Sequence, residues 1–304
     1  MQKREVVAMV LMALFFVLIQ GLALAAMGPF VEAGMAPAFE DPSDPLNLVY
    51  FFVIILTMTA VILLVAKFWK KQVIQAIILF AVGYTSFYVL DPLLFLVVGE
   101  PLAVISSALL ALCLVVVLWR FPEWYVVDCC GVVVGAGAIA IFGMSLDIAL
   151  VLVLLVCLAI YDAISVYRTK HMVDLADTVM DLKLPVLLVI PKVRGYSLFD
   201  EQSSIKEKVE SGEEREAFFM GLGDIVMPGI LTAAVFFSVG SLALSACVLL
   251  GTLVGFVLLM GFVLKGNPQA GLPLLCGGAI VGYLLGSFVL FGELVGFSLA
   301  AFGL

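Results

Sequence analysis

Charge is what this chain has least of. Asp, Glu, Lys and Arg make up 12% of its 304 residues, against 64% apolar residues. A soluble core has no use for that much apolar surface, and a mean hydropathy of +1.26 places the chain among polytopic membrane proteins. Basic residues are in the minority too, and a net charge of −8 repels nucleic acid. Histidine occurs once, as His171. A His-Glu-x-x-His zinc site is therefore excluded, and a Ser–His dyad would depend on one residue in a basic loop. Six cysteines (Cys113, Cys129, Cys130, Cys157, Cys247, Cys276) all lie in apolar runs. They read as small buried hydrophobes, and neither a metal nor another cofactor is expected.

The uncharged runs are long enough to cross a bilayer. Windows of about 20 residues give nine candidate spans, near 6–28, 46–68, 73–98, 101–119, 124–143, 146–167, 217–239, 241–264 and 272–297. The opening "MQKREVVAMVLMALFFVLIQGLALAA" has the make-up of a cleaved leader. Val6 to Met27 can nevertheless span a bilayer alone, and we expect it to be retained. Asp91-Pro92 is expected to end or kink the third span. The fold expected is all-α and polytopic. Residues 1–167 form an N-terminal bundle of six helices, 168–216 a charged and mobile cytoplasmic loop, and 217–304 a C-terminal bundle of three helices.

Basic residues orient these spans. All 15 Lys and Arg fall at the N-terminus or in alternate loops, from Lys3 and Arg4 through Arg120 to Lys265. The opposite loops carry acids such as Glu32, Asp41, Glu100 and Asp147. The positive-inside rule then puts the N-terminus in the cytoplasm and, after nine spans, the C-terminus outside.

Two acids lie inside spans on matched levels. Asp162 precedes the cytoplasmic end of the sixth span by five or six residues, and Asp224 follows the expected start of the seventh by about seven. At 1.5 Å per residue both carboxylates sit about 8–11 Å from the cytoplasmic ends. Sequential helices are often neighbours, so the two can face each other. Burying a carboxylate in lipid is costly and points to function. A close carboxylate pair shares one proton, one member activating water and the other protonating a peptide carbonyl. A proton-coupled transporter could use the same carboxylates, although it predicts internal repeats that are not apparent here. Asp128 and Glu293 have no evident partner and read as structural.

Tyr161-Asp162 in the sixth span and Gly221-Leu222-Gly223-Asp224 in the seventh resemble the motifs of the presenilin and signal peptide peptidase family of GxGD intramembrane aspartyl proteases. "AGLPLL" (Ala270 to Leu275) is similar to the family's Pro-Ala-Leu element at the ninth span, but lacks its first proline. The resemblance covers the whole chain and is to a prokaryotic presenilin homologue. It implies that Asp162 and Asp224 are catalytic, with Tyr161, Gly221, Leu222 and Gly223 as motif neighbours. It further implies that Gly271, Leu272 and Pro273 shape the site.

The substrates so implied are transmembrane-helix proteins within the lipid bilayer, of one span with the N-terminus outside. A helix must unwind before water reaches its carbonyls, and the unwound segment is expected to pair with a strand edge, for which Leu184 to Ile190 is the candidate. Whether the chain works alone, as a homo-oligomer or with an accessory subunit is left open by its residues.

Overall fold

Lipid offers the backbone no hydrogen-bonding partners, so apolar runs of this length fold as helices. The computed structural model describes residues 3–39, 41–68, 71–166, 187–193, 195–198, 217–264 and 269–297. Much of the expected loop, including His171 and Leu184, and also Lys265, lies outside the described residues.

Nine helices occur among the described residues: α1 (Lys3–Glu32), α2 (Leu46–Phe68), α3 (Lys71–Val98), α4 (Leu102–Arg120), α5 (Trp124–Ser145), α6 (Ile148–Ile164), α7 (Leu222–Val239), α8 (Leu242–Val263) and α9 (Leu272–Phe291). Seven are long and apolar enough to cross a membrane, while α2 and α6 supply the shorter apolar stretches Leu46–Met58 and Ile148–Ile164. The chain is a multi-pass, all-α membrane protein. Between α6 and α7 lie two short strands, β1 (Leu187–Pro191) and β2 (Ala217–Gly221), paired antiparallel.

Two expectations are corrected. Pro92 does not end the third span, since α3 continues through it to Val98. Leaving the helix there would expose several backbone groups to lipid, and a proline removes only one. The α3–α4 hairpin is also fastened at this level, by a Ser107 hydroxyl that donates to Asp91 at 3.2 Å. The seventh span does not begin as helix at residue 217, because its first five residues form β2.

Helices α1 and α5–α9 share the main core, in which Phe16, Ile19 and Phe30 of α1 are wholly buried. Helix α1 is thus an integral part of the packed bundle. A satellite cluster holds Ile74, Leu118, Val127, Val189, Leu198 and Ala217, which docks the β-hairpin on α3, α4 and α5. Gly278, Gly282 and Gly286, spaced i, i+4, i+8, form a glycine ridge on α9 that runs against α8. There Gly278 and Gly282 meet the backbone of Gly251, and a Cβ on Gly251 would lie 2.9 Å from the Gly282 Cα. Such contact admits no side chain and fixes how far α9 slides along α8.

Candidate active site

Position 224 is set by the strand before it. Gly221 ends β2 in an extended conformation (ψ 133°) and is the N-cap of α7, so Asp224 lies in the first helical turn. The expectation that seven helical residues precede it is corrected. Residues 217–221 pair with β1, with Leu187 opposite Gly221 and Pro191 opposite Ala217. Leu222, buried, holds the start of α7 against α5, where a Cβ on Gly135 would lie 3.1 Å from the Leu222 Cδ1.

Asp162 lies in the last turn of α6 and is only 4% exposed. Its neighbour Tyr161 is 54% exposed, because successive helical residues point about 100° apart. The Tyr161 ring therefore faces out of the bundle rather than into the site. After Ile164 the chain continues as two π-helical residues, Ser165 and Val166. A widened turn of this kind is frequent at functional sites.

The third component is the start of α9. Its first-turn amides have no partners within the helix, and Pro273 removes one of them. Another is answered by a carboxylate: the Leu272 N–H donates to the Asp162 Oδ2 at 3.0 Å. An acid suits the positive end of a helix. Gly271, the residue before, lies against the other aspartate. A Cβ there would be 3.2 Å from the Asp224 Oδ2 and 3.4 Å from its Oδ1. Consecutive Cα atoms are about 3.8 Å apart. Two carboxylates on adjacent residues therefore converge on one spot.

Small residues keep that spot open. Asp224 is half-buried, and Gly221 packs beneath it, where a Cβ would lie 3.4 Å from the Asp224 Oδ2. Gly223 is exposed, and a Cβ on it would touch nothing within 4 Å. The structure thus brings Asp162, Asp224, Gly221, Gly271, Leu272 and Pro273 to one end of the bundle, with Leu222 anchoring it and Tyr161 turned away. Among the described residues, no three His, Cys, Asp or Glu side chains are grouped to hold a metal.

Known proteins share this fold. A family model described as signal-peptide peptidase, presenilin aspartyl protease matches residues 12–292. The chain belongs to that family. A solved structure of a presenilin family intramembrane aspartate protease, in a C222 crystal, is 34% identical over 92% of this chain and 99% of that one, with a TM-score of 0.69. A second, in a P2 crystal, is 36% identical over 91% and 96% respectively, also at 0.69. No curated protein matches. Membership of this protease family makes the chain an intramembrane aspartyl protease and disfavours the transporter.

Around the aspartates of this presenilin-family chain stand residues to which the sequence assigned no part in the site. Asp128 on α5, whose partner was not evident in the sequence, accepts the Val189 N–H of β1 at 2.8 Å. Glu123, at the N-cap of α5, accepts the Ser197 hydroxyl at 2.8 Å and the Leu198 N–H at 3.2 Å. Gly131 and Gly135 receive Leu188 and Leu222. Helix α5 is the plank on which the strand pair and the start of α7 are mounted. Each contact joins segments far apart in the chain, and only the Gly-x-x-x-Gly spacing on α5 hints at any of it.

Proposed function

We propose that Asp162 and Asp224 form a two-aspartate dyad of the GxGD type, which hydrolyses peptide bonds within the transmembrane helices of single-span proteins. The observation that carries this reading is the convergence of both carboxylates on Gly271 and Leu272. One shared proton makes the pair both acid and base. The carboxylate takes a proton from water, and the water oxygen attacks the scissile carbonyl carbon. The protonated member donates to the carbonyl oxygen, forming a tetrahedral gem-diol. That intermediate collapses as the amide nitrogen is protonated and leaves as an amine. The proton belongs to the pair rather than to either residue.

The substrate must arrive unwound. Val189 gives its N–H to Asp128, so the Val189–Phe219 pair lies between ladder bonds, and Phe219 also turns its backbone groups away from its partner strand. Among the described residues, the free edge of the strand pair is then that of β2, which leads straight to Asp224. The edge expected within residues 184–190 is replaced in this reading, because on the outer edge of β1 the Val189 N–H is already taken by Asp128. An extended substrate segment added to β2 runs past the dyad with its carbonyls released from helical bonds.

The basic residues at the dyad end of the bundle support a cytoplasmic position for it. Substrates with their N-terminus outside follow from that orientation. The three segments 1–167, 168–216 and 217–304 then serve as scaffold, loop and catalytic completion. The test is purified protein in liposomes with a single-span peptide, its products read by mass spectrometry. Cleavage inside the span by wild type, lowered about 10²–10⁴-fold in Asp162→Asn and in Asp224→Asn, is expected. Proton flux without cleavage would return the transporter.

A further inference from the structure

The first strand is apolar from end to end. Leu188, Val189 and Ile190 are all buried, on both of its faces. Register in a sheet is normally fixed because a one-residue slip moves apolar side chains to the solvent face. The run Leu187-Leu188-Val189-Ile190 has no such alternation, so its side chains alone distinguish poorly between one register and the next.

One polar contact does distinguish them. Asp128 is 3% exposed, and its Oδ1 accepts the Val189 N–H at 2.8 Å. Among the described residues its Oδ2 has no hydrogen-bond partner. Keeping a carboxyl group buried for one bond is poor economy for stability, since leucine would fill the site without an unsatisfied oxygen. A single buried polar group is, however, an effective way to select one alignment among several apolar ones.

We propose that Asp128 is a positioning residue that sets which peptide bond is cut. It fixes β1 on α5, the five-residue ladder fixes β2 on β1, and β2 ends at the N-cap of α7, three residues before Asp224. A substrate strand paired with β2 is thereby aligned against the dyad. Asp128 acts through the Val189 N–H that it accepts. The inference rests on the dyad reading above and adds to it the control of cleavage position.

The experiment uses the full-length protein in liposomes with the same single-span peptide, comparing cleavage positions, KM and kcat. Asp128→Asn keeps an Oδ1 acceptor for Val189 and is expected to cut at the wild-type bond. Asp128→Leu is expected to spread cleavage onto neighbouring bonds and to raise KM about tenfold, with kcat changed less. Its thermal unfolding temperature in detergent should equal or exceed that of wild type. Unchanged products and KM in a folded Asp128→Leu would overturn the proposal, as would an Asn variant that behaves like the Leu one. Should Asp128→Leu not fold, Val189→Pro removes the donor without breaking a ladder bond. The same spread of products is then expected, and cleavage at the wild-type bond alone would overturn the proposal. Absence of cleavage by wild type would sink the dyad reading as well, whereas an unmoved product pattern sinks only this one.

Discussion

Gly271 gives the Asp224 carboxylate its room. Its backbone (φ −77°, ψ −47°) suits any residue, but a Cβ would meet the Asp224 Oδ2 at 3.2 Å. Gly271→Ala should therefore fold normally while displacing the carboxylate by a few tenths of an ångström. Turnover is expected to fall about two- to tenfold, with the unfolding temperature unchanged. Equal turnover would show that Asp224 tolerates the methyl group. At the opposite end of the bundle, Asp147 caps α6 by accepting the Ile148 N–H at 2.7 Å. Burial pushes its carboxyl group up, and this bond only partly opposes the shift. An acid raised on folding adds stability at low pH and loses it as pH rises through the folded value. Asp147→Asn should cap equally well and lose that slope, read as unfolding temperature against pH in detergent. The two catalytic candidates were legible as residues because carboxylates in apolar runs are conspicuous. The partner of Asp128 was not, because a bond to a backbone amide 61 positions away leaves no mark on local sequence.

Among the elements, α5 carries the site without contributing to its chemistry. Its Gly135 accepts Leu222 at the start of α7, and a Cβ there would also lie 3.3 Å from the Ile19 Cγ2 of α1. Gly135→Leu should push α7 outward and move Asp224 from Gly271. Activity is expected to drop about 100-fold or more, with a loss of about 1–3 kcal/mol in stability. Wild-type cleavage rates in that variant would remove α5 from the account. The glycine ridge of α9 was readable because its i, i+4 spacing lies within one helix. The role of Gly131 and Gly135 was not, because their partners Leu188 and Leu222 border the hairpin. In "AFFMGLGDIV" every residue before Asp224 is apolar or glycine, so periodicity cannot separate a strand from the start of a helix. The ladder with β1 decides it.

At the scale of the whole molecule, nine apolar runs became nine helices because lipid leaves the backbone no alternative. Length and hydropathy sufficed to place them. At Asp91-Pro92 the helix does not end, since open backbone in lipid costs more than the one bond a proline removes. The orientation makes its own prediction. In sealed cells, Glu100→Cys between α3 and α4 should react with a membrane-impermeant maleimide. Phe121→Cys, between α4 and α5, should react only after permeabilisation, and the native cysteines lie within helices. The reverse pattern would invert the protein and its substrates. The central claim is that Asp162 and Asp224 act as one unit on one proton, and a double-mutant cycle tests it most directly. Cleavage of the single-span peptide is measured for Asp162→Asn, Asp224→Asn and the double variant in liposomes. Each single change should cost about 10²–10⁴-fold, and the double variant should be no worse than either. A double loss equal to the product of the two single losses, or substantial cleavage by either single variant, would contradict a shared-proton dyad.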